Sequence, residues 1–446
     1  MSRSQFSYTR DQLSALARLV VEHAMKQGAS AADTEISEGV GQSVSVRQGE
    51  IETIEYNKDK GAGVTVYLGQ RRGHASTSDL SEAALKSAVE KALTIARYTA
   101  EDEAAGLPDA ERLAKDVPDL DLFHPWDLSV EEAAERAKAC EAAALAVDKR
   151  LTNSEGAGVN LHTSQFVYAN SLGFCNGYAG SRHGMSVAVI GEDSGGMQRD
   201  YWYTSARNAN DLDPPETVGR IAGERTVRRL NGRKLDTRTC PVIFEAPIAT
   251  GLIGNFVAAV SGSSLYRKSS FLLDSLGKPV FAPHVSIREA PFIRGGLGSA
   301  PFDSEGVACM DRDVVKDGVV AGYFLSSYSA RKLGMTTTGN AGGSHNLLVS
   351  HGELDLDGLL KEMGTGLLVT ELLGHGANMV TGDYSRGAAG FWVENGEILY
   401  PVEEITIAGN LADMYKGIVA IGRDIERRGA KQVGSILIDR MTVAGN

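Results

Sequence analysis

Ser43-Val44-Ser45-Val46-Arg47, residues 51–56 and residues 63–68 are three short runs rich in β-branched side chains, parted by Gln48-Gly49 and by residues 58–61. Such runs broken by turn-forming residues predict an antiparallel meander. A helix is predicted on each side of it. Upstream, Leu13, Leu16, Leu19, Val20 and His23 recur at helical spacing over 11–27, and Gly28 is a plausible stop. Downstream, Asp79 or Ser81 caps a helix whose stripe is Leu85, Val89 and Leu93, running to Tyr98.

The same order recurs. Ser129 and Glu132 form a capping box that opens a helix to Lys149. Glu155-Gly156-Ala157-Gly158 then follows, as Glu38-Gly39-Val40-Gly41 follows the first helix, and strand-like segments run to Tyr203. Pro214-Pro215-Glu216 launches another helix, ending near Asn231-Gly232. The chain thus reads as two αβα modules, 1–98 and 129–235, joined by an acidic linker over 99–128 and together forming an N-terminal domain. Duplication and chance similarity both accommodate the shared EGxG pattern.

Residues 239–446 read as a larger, β-rich C-terminal domain with inserted helices. It opens with a buried strand over 242–244 and a small-residue helix over 248–260, where Gly251, Ala258 and Gly262 would admit a close backbone. Hairpin turns are predicted at Asp317-Gly318 and Asn395-Gly396, helices over 356–373 and 411–427, and a last strand over 435–438. Strands with helices inserted, without strict βαβ alternation, place the fold in the α+β class.

Composition narrows the function. The 446 residues carry 45 Lys+Arg against 57 Asp+Glu, a net charge of −12, the wrong sign for wrapping nucleic acid. The first ten residues hold no apolar run, so neither secretion nor a membrane span is expected, and four widely spaced cysteines fit a reducing cytoplasm. Glycine, at 51 residues, is abundant while 42% of the chain is hydrophobic, which points to tight turns rather than disorder.

Three short motifs bear on chemistry. No HExxH or HxxxH occurs, and His345 and His351 are the nearest histidine pair in a glycine-rich segment. Ser329-Ala330-Arg331-Lys332 matches SxxK, in which the lysine would deprotonate the serine, but the companion SDN and KTG elements are absent. Gly295-Gly296-Leu297-Gly298 lacks the dinucleotide-binding spacing and reads as a loop. The basic run Arg220, Arg225, Arg228, Arg229, Arg233, Lys234 and Arg238 reads as a solvated helix face. The glycine-rich sets 338–346 and 381–390, with Asp303-Ser304-Glu305-Gly306, expose backbone suited to binding an extended peptide, or are ordinary connections.

Residues 266–278, Pro301-Phe302-Asp303-Ser304-Glu305-Gly306, residues 327–334 and 382–397, and Asp119-Leu120-Asp121-Leu122-Phe123-His124-Pro125 closely resemble the PmbA/TldD family over nearly the whole chain. The resemblance implies a heterodimeric zinc metalloprotease of the bacterial cytoplasm that cuts unfolded peptides in an enclosed cavity, with a peptide antibiotic precursor and an antitoxin among its substrates. The label "modulator of DNA gyrase" also travels with the family. In the TldD-type subunit, an HExxxH motif and a late cysteine hold the zinc. Anchored on Arg267-Lys268, that window falls here on Asn255-Phe256-Val257-Ala258-Ala259-Val260, and the cysteine's place near Val433. Phenylalanine and valine cannot bind zinc or shuttle protons.

The resemblance therefore implies a PmbA-type subunit with no catalytic residue and no metal of its own, zinc lying in a TldD-type partner. A homodimer is the expected alternative without that partner. His345, Asn346, Asp383 and Arg386 are the candidate peptide-facing residues, chosen as polar groups in glycine-rich segments. Two other readings stay open: a hydrolase using Ser329 and Lys332, and a non-enzymatic regulator of a topoisomerase or RNA regulator, engaging it through Arg228 and Arg229.

Overall fold

The structure is a computed structural model and describes residues 6–445. Its N-terminal part runs α1 (Arg10–Lys26), β1 (Ala31–Arg47), β2 (Glu50–Leu68), β3 (Arg71–Thr77) and α2 (Glu82–Tyr98). Then, beyond the linker, come α3 (Val130–Leu145), β4 (Leu151–Asn170), β5 (Cys175–Asp193), β6 (Gly196–Ala206) and α4 (Pro215–Arg229). Ser81 caps α2, and the Ser129/Glu132 box opens α3.

One six-stranded antiparallel sheet, ordered β3-β2-β1-β4-β5-β6, joins the two halves through the β1–β4 ladder. Each half contributes helix, three strands and helix in the same order, so the arrangement has an approximate two-fold about that ladder. Alternation assigns the faces. Ala32 and Ile36 of β1 pack under α1 and α2, and Val44 and Val46 of the same strand pack under α3 and α4. All four helices therefore cover one side.

The meander is present, but 58–61 is not a turn. Lys58 pairs with Val40 and Gly61 with Ser37, and β2 runs unbroken to Leu68. β1 likewise starts at Ala31, twelve residues before the predicted strand. Local turn preference loses to a long ladder whose partner strand supplies the backbone bonds. Buried Thr34 and Glu38 hide the alternation from a hydrophobicity reading.

The C-terminal part comprises β7 (Arg238–Phe244), α5 (Ala246–Ala259), α6 (Gly262–Tyr266), β8 (Ile287–Glu289), β9 (Arg312–Lys316), β10 (Val319–Val320) and α7 (Ser327–Lys332). It continues with β11 (Leu347–Val349), α8 (Leu356–Met363), β12 (Gly366–Leu373), β13 (Asp383–Glu394), β14 (Glu397–Asn410), α9 (Leu411–Lys416), β15 (Ile418–Ile421), β16 (Lys431–Gln432) and β17 (Ile436–Ala444). Strands are ordered β14-β13-β12-β7-β17-β15, and an extra β14–β17 pairing closes five of them into a barrel. A second sheet runs β10-β9-β8-β11-β16. The α+β class is observed, and both hairpins form at Asp317-Gly318 and Asn395-Gly396.

Two predicted helices are shorter. The stretch 356–373 is cut at Gly364, whose φ of 70° ends α8, and the apolar remainder becomes β12, parallel to β7. A strand buried on both faces carries no alternation to distinguish it from helix. The stretch 411–427 is helical only to Lys416, before β15. Residues 381–390 are largely strand β13, not loop. A Cβ built on Gly251 meets nothing within 4 Å, whereas one on Gly262 would collide with the Ser329 side chain, so close approach holds at only one of these two glycines.

The basic run is a solvated face only in part: Arg220, Arg228, Arg233 and Lys234 are exposed, whereas Arg225 and Arg229 are largely enclosed. Arg225 makes a two-pronged bond to Glu245 at 2.8 and 3.0 Å, Arg229 pairs with Asp200 and Glu371, and Arg228, Arg233 and Arg238 lie over Phe391, Tyr400 and Trp392. Long basic side chains here cover apolar surface while bonding carboxylates across the two parts of the chain. The linker is strapped down as well: Asp102 accepts from Tyr328 and Lys332, both at 2.7 Å, and Arg331 donates to the carbonyls of Ala104, Gly106 and Leu107. Asp102→Ala should therefore speed limited proteolysis within 99–128, and an unchanged cleavage rate would remove this role. Among the described residues, no helix is long and apolar enough to cross a membrane.

Candidate functional site

Helix α5 carries the window that the resemblance singles out. Pro247 stands in its first turn, where a missing N–H costs nothing. One side of the helix is core: Leu252, Ile253, Phe256 and Ala259 are buried. The Phe256 ring packs edge-on against Phe281 at 5.0 Å and Tyr415 at 6.4 Å. Val260 and Val433 are both fully enclosed in the same apolar cluster. Three of the four positions thus offer no donor atom, and only Asn255, half-buried, carries a polar group. These residues do not fit a zinc ion. Among the described residues, no group of three His, Cys, Asp or Glu side chains is arranged to hold a metal.

The other side of α5 is open. Gly251 and Ala258 are exposed, with Asn255 between them, one helical face apart at i, i+4 and i+7. Gly251 also lines a cavity of about 300 Å³ between the two parts of the chain, whose walls include Trp202, Tyr203, Ile248, Thr370 and Arg386. Arg428 stacks on Trp202 at 3.9 Å and on Tyr203 at 4.2 Å. Its carboxylate partner is Glu426; burial pushes that carboxyl up, but the bonds from Arg428 overcome the effect and hold it below its usual value. Aromatic faces, hydroxyls, the guanidiniums of Arg225, Arg386 and Arg428 and the carboxylates of Asp200 and Glu371 line this cleft, a mixture suited to gripping a peptide side chain. The sequence reading missed Trp202, Tyr203 and Arg428; the aromatic triplet Tyr201-Trp202-Tyr203 was the available signal.

The four candidate peptide-facing residues separate. Arg386 lines the cavity and donates through Nη2 to the Gly374 carbonyl at 2.6 Å. Asp383, three residues away on β13, is exposed and bonds Thr381 and Asn410 instead. Asn346 is fully buried, bonding Ala290 and Ser299 and accepting from the Gly298 N–H. His345 is enclosed too. Its Nδ1 stands 2.9 Å from Glu289 and its Nε2 3.2 Å from the Cys309 sulfur.

Glu289 also accepts from Arg312 at 2.8 Å, from Asn340 at 2.7 Å and from the His345 backbone at 2.9 Å. Burial alone would raise its carboxyl, yet the His345 and Arg312 interactions prevail and hold it below the usual carboxylate range. The ionised carboxylate accepts a hydrogen bond from Nδ1–H, and in the neutral ring that leaves Nε2 to accept from the Cys309 thiol. Burial, reinforced by Asp303 and Glu289, pushes that thiol far up. A nucleophilic cysteine needs the opposite shift and an open approach, so this row of three locks the 338–346 segment onto β8.

The SxxK reading fares no better. Ser329 is buried in the capping box of α7 and donates to the Ser326 carbonyl. The hydrogen bond to Asp102, with its charge, holds the Lys332 ammonium above its ordinary range, the reverse of what a general base requires. Ser329→Ala should leave peptide cleavage by any complex containing this chain unchanged; loss of cleavage with normal folding would restore serine chemistry.

Comparison with known proteins places these features. Three models of the PmbA/TldA metallopeptidase family match: domain 1 over residues 32–96, the central domain over 123–230 and the C-terminal domain over 237–445. The metalloprotease PmbA of Escherichia coli O157:H7 is 53% identical, covering 93% of this chain and 92% of its own. A solved structure from Bacteroides thetaiotaomicron, described as a modulator of DNA gyrase, superposes with a TM-score of 0.92 at 28% identity, covering 97% and 98% of the two chains. TldE from Thermococcus kodakarensis shares the fold, with a TM-score of 0.85 at 19% identity over 96% and 100%.

Proposed function

Because the chain belongs to the PmbA/TldA metallopeptidase family, we propose that it is the metal-free, PmbA-type subunit of a cytoplasmic heterodimeric zinc metalloprotease acting on unfolded peptides. The zinc, its two histidines and the glutamate belong to a TldD-type partner. This chain contributes half of the peptide cavity. The observation that carries the reading is the packing of Phe256, Val260 and Val433: where relatives would present donor atoms, this chain presents an apolar interior. Support for the peptide role comes from the open stripe of α5 and the cleft that Gly251 shares with it. A peptide lying along that stripe would reach Trp202, Tyr203 and Arg386 without displacing any buried group.

The test compares the purified chain, a TldD-type subunit and their mixture on an unfolded peptide, with and without chelator. Cleavage is expected in the mixture, at least 100-fold above this chain alone, and chelator should abolish it. Chelator-sensitive cleavage by this chain by itself would overturn the division of labour.

A further inference from the structure

The side of the N-terminal sheet that the four helices leave open holds a second cavity, of about 480 Å³. Along β5, Met185 and Val187 pack toward the helices, so Arg182, Gly184 and Ser186 face the other way. The register sets His162 beside Arg182 and Asn160 beside Gly184, with Ser205 and Tyr203 next across on β6. Glycine keeps this face low. A Cβ on Gly39 or Gly41 would stand 3.4 or 3.6 Å from the His162 ring, which lies against bare backbone of β1. The first EGxG segment thus gives the ring its seat.

The cavity is one-sided in charge. Its lining includes no carboxylate. Arg182 is exposed, and it bonds the Ser205 hydroxyl at 3.0 Å and the Arg428 carbonyl at 3.4 Å, both uncharged. Half-buried Arg207 bonds only the carbonyls of Ser181, Gly296 and Leu297, and its charge is set against that of Arg182. Glu426 is taken by Arg428. The Asn160 amide oxygen accepts from Ser43, which leaves its NH2 group to donate. A guanidinium fork flanked by neutral donors, with no acid to satisfy it, matches a carboxylate.

Tyr203 lines both this cavity and the cleft beside α5. Ser205, which holds Arg182, is two residues further on, about 7 Å along an extended strand. A peptide lying over Trp202 and Tyr203 therefore needs about two more residues to bring its end to Arg182. We propose that Arg182, with His162 and Asn160, binds the C-terminal carboxylate of the peptide. That group is the one carboxylate every peptide carries whatever its sequence. The inference rests on the proposed peptide-binding role, but not on where the zinc lies.

The test measures binding of a short, labelled, unfolded peptide to the purified full chain by fluorescence anisotropy. The peptide lacks Asp and Glu and is made as the free acid, as the C-terminal amide, and as the amide with one internal glutamate. The free acid should bind at least about 10-fold more tightly than either amide, the scale of a charge-assisted hydrogen bond. Arg182→Gln should bring the free acid to the affinity of the amide, and Arg182→Lys, which keeps the charge but not the fork, should retain part of the preference. Both variants should melt within about 2 °C of the parent, as surface changes do. Equal binding of acid and amide, no binding of any of the three, a preference that survives Arg182→Gln, or an internal glutamate as effective as the terminus would overturn the proposal. Binding involves no cleavage, so each of these results leaves the division of labour between subunits standing. Chelator-sensitive cleavage by this chain alone would remove that division without touching the carboxylate site.

Discussion

Glu289→Ala is expected to lower the stability of the C-terminal part by about 3–5 kcal/mol, the usual consequence of leaving a buried charge without its partner. For a unit of this size that corresponds to a fall of roughly 10 °C in melting temperature. The reason is local and specific. Glu289 is 1% exposed, and it satisfies Arg312, Asn340 and both donors of His345. Removing it takes the carboxylate from the Arg312 guanidinium, which keeps only the Asn340 amide oxygen as acceptor, leaves Asn340 with the Gly343 carbonyl alone, and frees the 338–346 segment from β8. The pH dependence has a definite sign. Glu289 has a folded pKa below its unfolded value, so its contribution is complete above about pH 4.3, the ordinary glutamate value, and is lost as pH falls through the folded value. The stability difference between parent and variant, measured by urea unfolding, should be constant from pH 6 to 8 and shrink below about pH 4. A difference that persists undiminished at pH 3, or one below 1 kcal/mol at pH 7, would show that this network is not what holds the segment.

The same network shows where sequence reading stops. Helices α1 to α3 were legible because each has a side-chain cap and a buried apolar stripe, and α4 because prolines open it without such a cap; these signals are carried within a dozen residues. The hairpin at Asn395-Gly396 was legible because its turn is written in two residues. By contrast, the partnership of Glu289 with His345 spans 56 positions, and nothing near either residue announces it; His345 was chosen as a peptide-facing candidate for its polarity in a glycine-rich segment. The arginines of α4 misled for a related reason. Composition says only that they are charged, whereas their carboxylates, Asp200, Glu245 and Glu371, come from three other strands or loops. Tertiary partners decide whether such a run is a solvated face or a seam. At the candidate site, Phe256 and Val260 were informative from sequence alone, because a side chain with no donor atom cannot ligate in any fold. Arg386 lines the cavity from a strand rather than from a loop, while Trp202 and Tyr203 gave no sign of facing it.

Writing the histidines and glutamate of a metal motif back into α5 should break the protein rather than make it a zinc enzyme. In the variant carrying Asn255→His, Phe256→Glu and Val260→His, the middle substitution puts a carboxylate where a ring now packs against Phe281 and Tyr415 with no exposure to solvent. Loss of the ring alone costs about 3–5 kcal/mol, and an unpaired carboxyl in that environment costs more. Val433 stands in the same interior and offers no third ligand. Geometry adds a further obstacle, since positions 255 and 260 lie about 140° apart around a regular helix at about 100° per residue. They converge on one ion only if the helix is distorted. The contrast within a single helix makes the test sharp. Asn255→His alone, on the half-exposed side of α5, should leave the melting temperature within about 2 °C of the parent, as a surface change does. The triple variant should melt at least 10 °C lower and hold no stoichiometric zinc by elemental analysis. If it instead remained folded with one zinc per chain, the apolar packing around Phe256 would be an accident of sequence and the proposed metal-free role would fall.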